Sequence, residues 1–234
     1  MIITKTPYRI SFFGGGSDYP VWYKKFGGSV LSTTIDKYIY ISCRELPPFF
    51  DHKYRIVWSK IENVKKINEI KHLTVRKLIK YNKIKSGLEI HYDGDLPARS
   101  GMGSSSSFSV GLMRALNYHQ HRDIKGINLA YKTITFEQKI MKETVGSQDQ
   151  VAASVGGFNK INFLKNDKIL IKKILSNNLK KLNSNLLLLY TGIQRNAETI
   201  ANNYVHKLSN EKEKNIRKII SNVELGEKMI KSGN

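Results

Sequence analysis

The 234-residue chain predicts an α+β fold. Three observations carry this. Segments dense in β-branched and aromatic residues alternate with segments whose apolar residues recur at helical spacing, but without the regular repeat of a parallel sheet. Hydrophobic residues make up 40% and charged residues 25%, an ordinary globular composition on a chain long enough to bury a core. Glycine clusters at Gly14–Gly16, Gly27–Gly28 and Gly101–Gly103 punctuate the elements.

Residues 1–12 (MIITKTPYRISF) read as a strand, ended by Gly14, Gly15 and Gly16. Asp18 to Phe26 is expected as a short helix with Gly27–Gly28 behind it. Val30 to Ser42 is dense in strand formers, and Tyr54 to Trp58 is a further short strand. The Lys-rich stretch 60–85 holds at least one helix, because Val75, Leu78 and Ile79 sit at helical spacing. Leu88 to Tyr92 alternates apolar and polar residues as a strand does. After the loop around Pro97 and Gly101–Gly103, the residues Phe108, Val110, Leu112, Met113 and Leu116 mark the core face of a helix. Ile127 to Glu143 repeats that pattern. Strands at Phe158–Phe163 and Lys168–Ile174, the apolar run Leu186–Tyr190, and helices over 194–208 and 211–231 complete the chain. Composition shifts to Lys, Asn and Ser near 165–185, which suggests a boundary there.

Charge and cysteine content narrow the function classes. Lys plus Arg outnumber Asp plus Glu by 39 to 19, a formal net charge of +20. Such an excess suits a nucleic-acid partner or an anionic small molecule. It is spread along the chain rather than gathered on one arm, and no zinc-finger spacing, aromatic RNA-binding motif or heptad-linked basic region accompanies it. This favours compositional drift or affinity for small anions over dedicated nucleic-acid binding. Cys43 is the only cysteine, which excludes an internal disulfide, a cysteine zinc cluster and a Cys-x-x-Cys redox pair. The N-terminus lacks the pattern of a secretory signal, and no apolar run is long enough to span a bilayer. A cytoplasmic protein with no membrane partner is expected.

Three segments have the residue types that chemistry needs. The first is Pro97-Ala98-Arg99-Ser100-Gly101-Met102-Gly103-Ser104-Ser105-Ser106-Ser107, between a strand and an amphipathic helix. Glycines let the backbone approach a ligand, and a helix N-terminus offers free N–H groups to phosphate. A serine hydroxyl is also a fair magnesium ligand. The competing reading is a Gly/Ser loop that only caps a helix; its place between a strand and an apolar helix favours phosphate. The loop has no Gly-Lys-Ser/Thr of a Walker A sequence and no third glycine of a dinucleotide fingerprint. The second segment is Pro7-Tyr8-Arg9 to Asp18-Tyr19, in which an arginine on a strand and an aspartate past a glycine turn can face one cleft. Alone, it reads equally as a surface charge and a helix cap. The third is Val145-Gly146-Ser147-Gln148-Asp149-Gln150, with Glu137 about three helical turns upstream. One carboxylate to accept a hydroxyl proton and another to hold magnesium are what phosphoryl transfer requires. By position alone Glu137 reads as an exposed helix residue.

Together these segments resemble the GHMP kinase superfamily, which includes galactokinase, homoserine kinase and mevalonate kinase. TPYRISFFGGGSDYP is similar to the family's first motif, LPARSGMGSSSSFSVG to its phosphate loop, and VGSQDQVAASVGGF to the segment with the catalytic aspartate. TIDKYIYISCRELPPFF adds a likeness to the D-glycero-D-manno-heptose 7-phosphate kinase branch. The resemblance covers about residues 1–205 and implies an ATP- and magnesium-dependent kinase of a sugar or sugar phosphate. It implies a ribosomal-protein-S5-domain-2-like ATP-binding domain over 1–175, then an incomplete ferredoxin-like GHMP kinase C-terminal domain over 176–234. Phosphates would lie on Gly101, Gly103, Ser104, Ser105 and Ser106. Magnesium would be held by Ser105 and Glu137. Asp149 would be the catalytic base, with Arg9 keeping it ionised and bracing the γ-phosphate. Gly16, Ser17 and Asp18, with Arg99 and Arg195, would contact the substrate. Galactokinase-type enzymes have Glu-His where this chain has Gly15–Gly16, which points away from plain galactose. The superfamily's third, glycine-rich motif is absent, so the chain resembles an N-terminal portion of such an enzyme. A non-catalytic remnant that binds nucleotide or sugar is the alternative, and a basic nucleic-acid-binding domain on the same scaffold a more distant one.

Overall fold

The strand-forming runs build one seven-stranded sheet in a computed structural model that describes residues 1–98, 100–193 and 197–233. Strand β1 (Ile2–Phe13) buries Thr4, Thr6 and Tyr8 and exposes Ile3 and Lys5, the two-residue period of a strand with one covered face. It pairs antiparallel with β2 (Gly28–Glu45), the longest strand at 18 residues. The other edge of β2 is divided. Its second half, Ile39–Glu45, pairs with β5 (Leu88–Gly94), and its first half, Gly28–Thr33, pairs with β6 (Phe158–Phe163). Strand β3 (Tyr54–Val57) joins β5 in parallel, β4 (Ile61–Val64) closes that end, and β7 (Ile169–Lys173) closes the other.

Helices α2 (Leu73–Tyr81) and α3 (Ser104–His119) cover the apolar face at the β5 half. Val75, Leu78, Leu112 and Leu116 pack there with Tyr8, Ile39, Ile41, Ile56 and Ile90. At the β6 half both faces are covered. The β2 neighbours Val30 and Leu31 are fully buried. Val30 packs with Trp22 of α1 (Pro20–Phe26), Ala130 and Ile134 of α4 (Gly126–Thr135), and Val151 of α5 (Gln148–Val155). Leu31 packs with Phe158, Ile174 and Val223, the last from α8 (Glu213–Ser232). Glu227 of α8 is buried and ion-paired with Lys160, Lys172 and Lys231, which fastens the helix to β6 and β7.

The six expected strands appear with shifts of at most three residues at their ends. The helix expected over Ile127–Glu143 starts as α4 and then widens into a π-helix, Phe136–Met141, closed by Lys142 at φ 62°. Strand β4, helix α5 and helix α6 (Asn178–Ser184) were not anticipated. They are short and rich in polar or small residues, so no apolar period marks them. The run Leu186–Tyr190 is exposed: Leu187 is 82% and Leu189 74% exposed. After Lys173 the described residues hold α6, α7 (Ala197–Tyr204), a 3₁₀ turn and α8, with no strand. No helix among the described residues is long and apolar enough to cross a membrane.

Candidate active site

The three chemistry-bearing segments meet in one cleft of about 550 Å³. Its walls include Arg9, Gly15, Gly16, Asp18, Gly101, Gly103, Ser104–Ser106, Gln148 and Asp149. Arg9, late on β1, reaches Asp149 in the first turn of α5 through a two-pronged pair: Nε to Oδ1 at 2.7 Å and Nη2 to Oδ2 at 2.8 Å. Parallel N–H donors on one carboxylate fix its plane as well as its distance. Burial works against the Arg9 charge, but Asp149 together with Asp18 and Tyr19 offsets it, and the guanidinium pKa is raised. The third prong, Nη1, donates to the Gly101 carbonyl at 3.1 Å, so the same arginine holds the glycine–serine loop.

That loop turns into α3 through Gly103, at φ 75° and ψ 26°. A side chain there is strained by the left-handed backbone, and its Cβ would lie 3.2 Å from Asp149 Oδ2. The free N–H groups of the α3 N-terminus therefore open beside the Arg9–Asp149 pair. Ser104 is half-buried and Ser105 exposed, both on the cleft wall. Ser106 turns inward, and its hydroxyl donates to Glu137 Oε2 at 3.0 Å.

Glu137 is 1% exposed, not the surface carboxylate its position suggests. The π-helix brings it under the loop. Ser106 and Gln150 hydrogen-bond to its Oε2, with the Ser109 hydroxyl alongside, while burial raises its pKa. Its Oε1 is buried without a hydrogen-bond partner. The serine hydroxyl bonded to this carboxylate is thus that of Ser106, whereas the sequence pointed to Ser105.

Asp18 closes the opposite side. It is 1% exposed, accepts from the backbone N–H of Gly16 (3.1 Å) and of Gln148 (3.2 Å), and has its pKa raised to about 6 by burial and then by the Asp149 charge. This packing demands glycine at 146, where a Cβ would lie 1.9 Å from Asp18 Oδ2. Gln138 bonds to the Val145 carbonyl and the Ser147 hydroxyl and steadies the same turn. Gly16 lines the cleft as expected. Ser17 is corrected: it is fully buried, and its hydroxyl donates to the Gly14 and Ser29 carbonyls (2.7 and 3.0 Å), so it ties the glycine turn to β2 instead of facing a substrate. Arg99 and Arg195 lie outside the described residues. Gly146, Gln148 and Gln150 were missed as individual residues, although all three stand in the segment that drew attention to Asp149.

Comparison with known proteins finds relatives among kinases. The family model for the GHMP kinase N-terminal domain matches residues 67–157, which include the glycine–serine loop, Glu137 and Asp149. The chain is 29% identical over 222 residues to D-glycero-alpha-D-manno-heptose 7-phosphate kinase of Campylobacter jejuni, covering 90% of this chain and 66% of that protein. It is 26% identical over 201 residues to galactokinase of Pyrococcus furiosus, covering 83% and 54%. The chain thus spans between half and two thirds of the length of these curated relatives. Among solved structures, a D-glycero-D-manno-heptose 1-phosphate kinase from Bacteroides thetaiotaomicron superposes with a TM-score of 0.80 at 21% identity, over all of this chain and 74% of that one. The resemblance to GHMP kinases carried by the three sequence segments is shown, and the fold is the mixed α/β fold of such kinases.

Proposed function

We propose that the chain is the nucleotide-binding part of an ATP-dependent sugar kinase that phosphorylates a hydroxyl of a sugar phosphate, with a heptose 7-phosphate as the leading substrate. One observation carries the reading: a bidentate Arg9–Asp149 pair stands directly beside the open N-terminus of α3 in one cleft. Phosphoryl transfer asks mainly for positioning and for charge neutralisation, and this arrangement supplies both. The N–H groups at Gly103–Ser106 and the helix dipole bind the ATP phosphates. Asp149 accepts the proton of the attacking hydroxyl, and Arg9 fixes its orientation and faces the transferring group. Asp18 accepts hydrogen bonds from substrate hydroxyls.

The donor set fits magnesium. Glu137 Oε1 is a buried carboxylate oxygen without a partner, and serine hydroxyls line the same loop, all hard oxygen donors. Glu137 with Ser106 or Ser105 would hold the ion, which when bound neutralises phosphate charge. A division into an ATP-binding domain over 1–175 and part of a second domain over 176–234 belongs to the same proposal. So does a preference for a substrate with its own phosphate, read by Arg99 and Arg195, since an arginine fork matches a phosphate.

The test is ADP release from ATP in the presence of heptose phosphates, galactose, fucose and mannose. Asp149→Asn should lower turnover by about 10² to 10⁴, the worth of general-base assistance, and leave nucleotide affinity nearly intact. A variant with wild-type turnover removes Asp149 from this role. If no sugar phosphate is phosphorylated, the reading fails.

A further inference from the structure

We infer that Gln150 is a positioning residue for Glu137: it fixes which oxygen of that carboxylate is free to meet a cation. This rests on the kinase reading above. Gln150 is fully buried, and its Nε2 donates to Glu137 Oε2. Ser106 Oγ donates to the same oxygen at 3.0 Å. A carboxylate that merely filled a polar gap in the core would have both oxygens satisfied. Here two donors converge on Oε2, and Oε1 is left bare.

The amide of Gln150 turns its N–H end, not its oxygen, to Glu137. Turned over, it would set oxygen against oxygen at Glu137. In the orientation it takes, its own Oε1 is also buried without a partner. The residue therefore holds Glu137 with its N–H end and leaves its carbonyl end unsatisfied, an arrangement that stability alone does not select. Its place in the helix matters as well. Asp149 precedes it on α5, and successive helical side chains diverge by about 100°. Residue 149 faces the cleft and Arg9, and residue 150 faces the π-helix and Glu137. One turn of α5 thus sets the proposed base and the proposed cation ligand in a fixed relation. Groups that orient a metal ligand through its second atom are commonly decisive for affinity.

The experiment measures ATP binding by calorimetry across a magnesium titration and again in excess EDTA. Gln150→Met keeps length and volume without the donor. Gln150→Glu keeps the shape and puts an oxygen where the N–H was. In both, the magnesium concentration that half-restores tight ATP binding should rise roughly tenfold to a hundredfold, while affinity in EDTA stays at the wild-type value. An unchanged midpoint in either variant overturns the inference. So does a loss of equal size with and without magnesium, which is what general loosening of the core would give. Thermal melts of the free variants identify a misfolded one, in which case the other carries the test. If wild-type binding ignores magnesium, the kinase reading itself falls, an outcome distinct from a wild-type response that the variants share.

Discussion

Asp18 combines two properties that oppose one another across an accessible pH range. Burial and the nearby Asp149 charge raise its pKa to about 6, so the folded protein holds the Asp18 proton more tightly than the unfolded chain, whose value is about 3.9. Its stabilising contribution is therefore full below about pH 4 and is lost as pH rises through about 6. Its use as a hydrogen-bond acceptor for substrate runs the other way, because the ionised form is the better acceptor. At saturating MgATP, kcat/KM for the sugar should fall roughly fivefold from pH 6 to pH 5, since kcat/KM reports the form that meets the sugar and a group of pKa about 6 goes from half ionised to about a tenth. The melting temperature of Asp18→Asn should meanwhile change less between pH 4 and 7 than that of the wild type. A wild-type kcat/KM that is flat across pH 5–7 would remove Asp18 from substrate binding. At this scale the sequence was informative where a residue type is chemically distinctive. Arg9, Asp18 and Asp149 stood out and do meet in the cleft. Ser106 was not separable from Ser105, because four consecutive serines differ only in which way the helix turns them. Gln150 carried no signal, since a glutamine beside an aspartate reads as surface until its burial is known.

Helix α8 shows the same limits one level up. Its apolar spacing was legible and its span nearly so, but what it packs against was not. It lies over the β6 half of the sheet, with Gly226 against the Phe13 ring and Glu227 among three lysines. Hydrogen bonds from Lys172 and Lys231, opposed by burial and aided by Lys160, pull the Glu227 pKa down to about 2. The stabilisation is present above the ordinary glutamate value of about 4.3 and is lost as pH falls through about 2. Glu227→Gln should cost roughly 0.5–1.5 kcal/mol, the worth of hydrogen bonds that lose their charge while Lys160 keeps Glu224 as its other partner, and should lower the thermal midpoint accordingly. A melt superimposable on the wild type would show that apolar packing alone holds the helix. The elements that sequence patterns miss share a cause. In β4, α5 and α6 the length is eight residues or fewer, too short for a helical or strand period to rise above noise. The π-helix is invisible for another reason: its residues FEQKIM continue the preceding α-helical pattern, and only the extra residue per turn, which swings Glu137 inward, distinguishes it.

For the whole molecule, fold class was legible because strand-like and helix-like runs alternate without a parallel repeat. Sheet order was not. A sequence states which residues favour strands, and their partners follow only from packing. The expected second, ferredoxin-like unit has no strand among the described residues. The helices there lie partly on the first sheet, through Ile216 beside Trp22 and Val30, and through Val223 beside Leu31.

The divided edge of β2 also has a consequence for the order in which the molecule assembles. One half of that strand waits for β5, close by in the chain. The other half waits for β6, where Ser29 and Asn162 meet at a sequence separation of 133. Closing a long loop adds only roughly 0.6 kcal/mol per doubling, yet it must be met before any contact rewards it, so distant pairings form late. The two tryptophans divide the same way: Trp58 packs with the β5 half and Trp22 with Ile161 and Phe163 of the β6 half. In refolding, Trp58 fluorescence followed in Trp22→Phe should recover first. Trp22 fluorescence followed in Trp58→Phe should recover later, in step with ATP binding, because Asp149 reaches Arg9 across 140 residues only when α5 and β6 arrive. Identical time courses would mean a single concerted step. A sequential course would make the cleft the last part of the protein to exist, and ATP a ligand that arrests unfolding at its first stage.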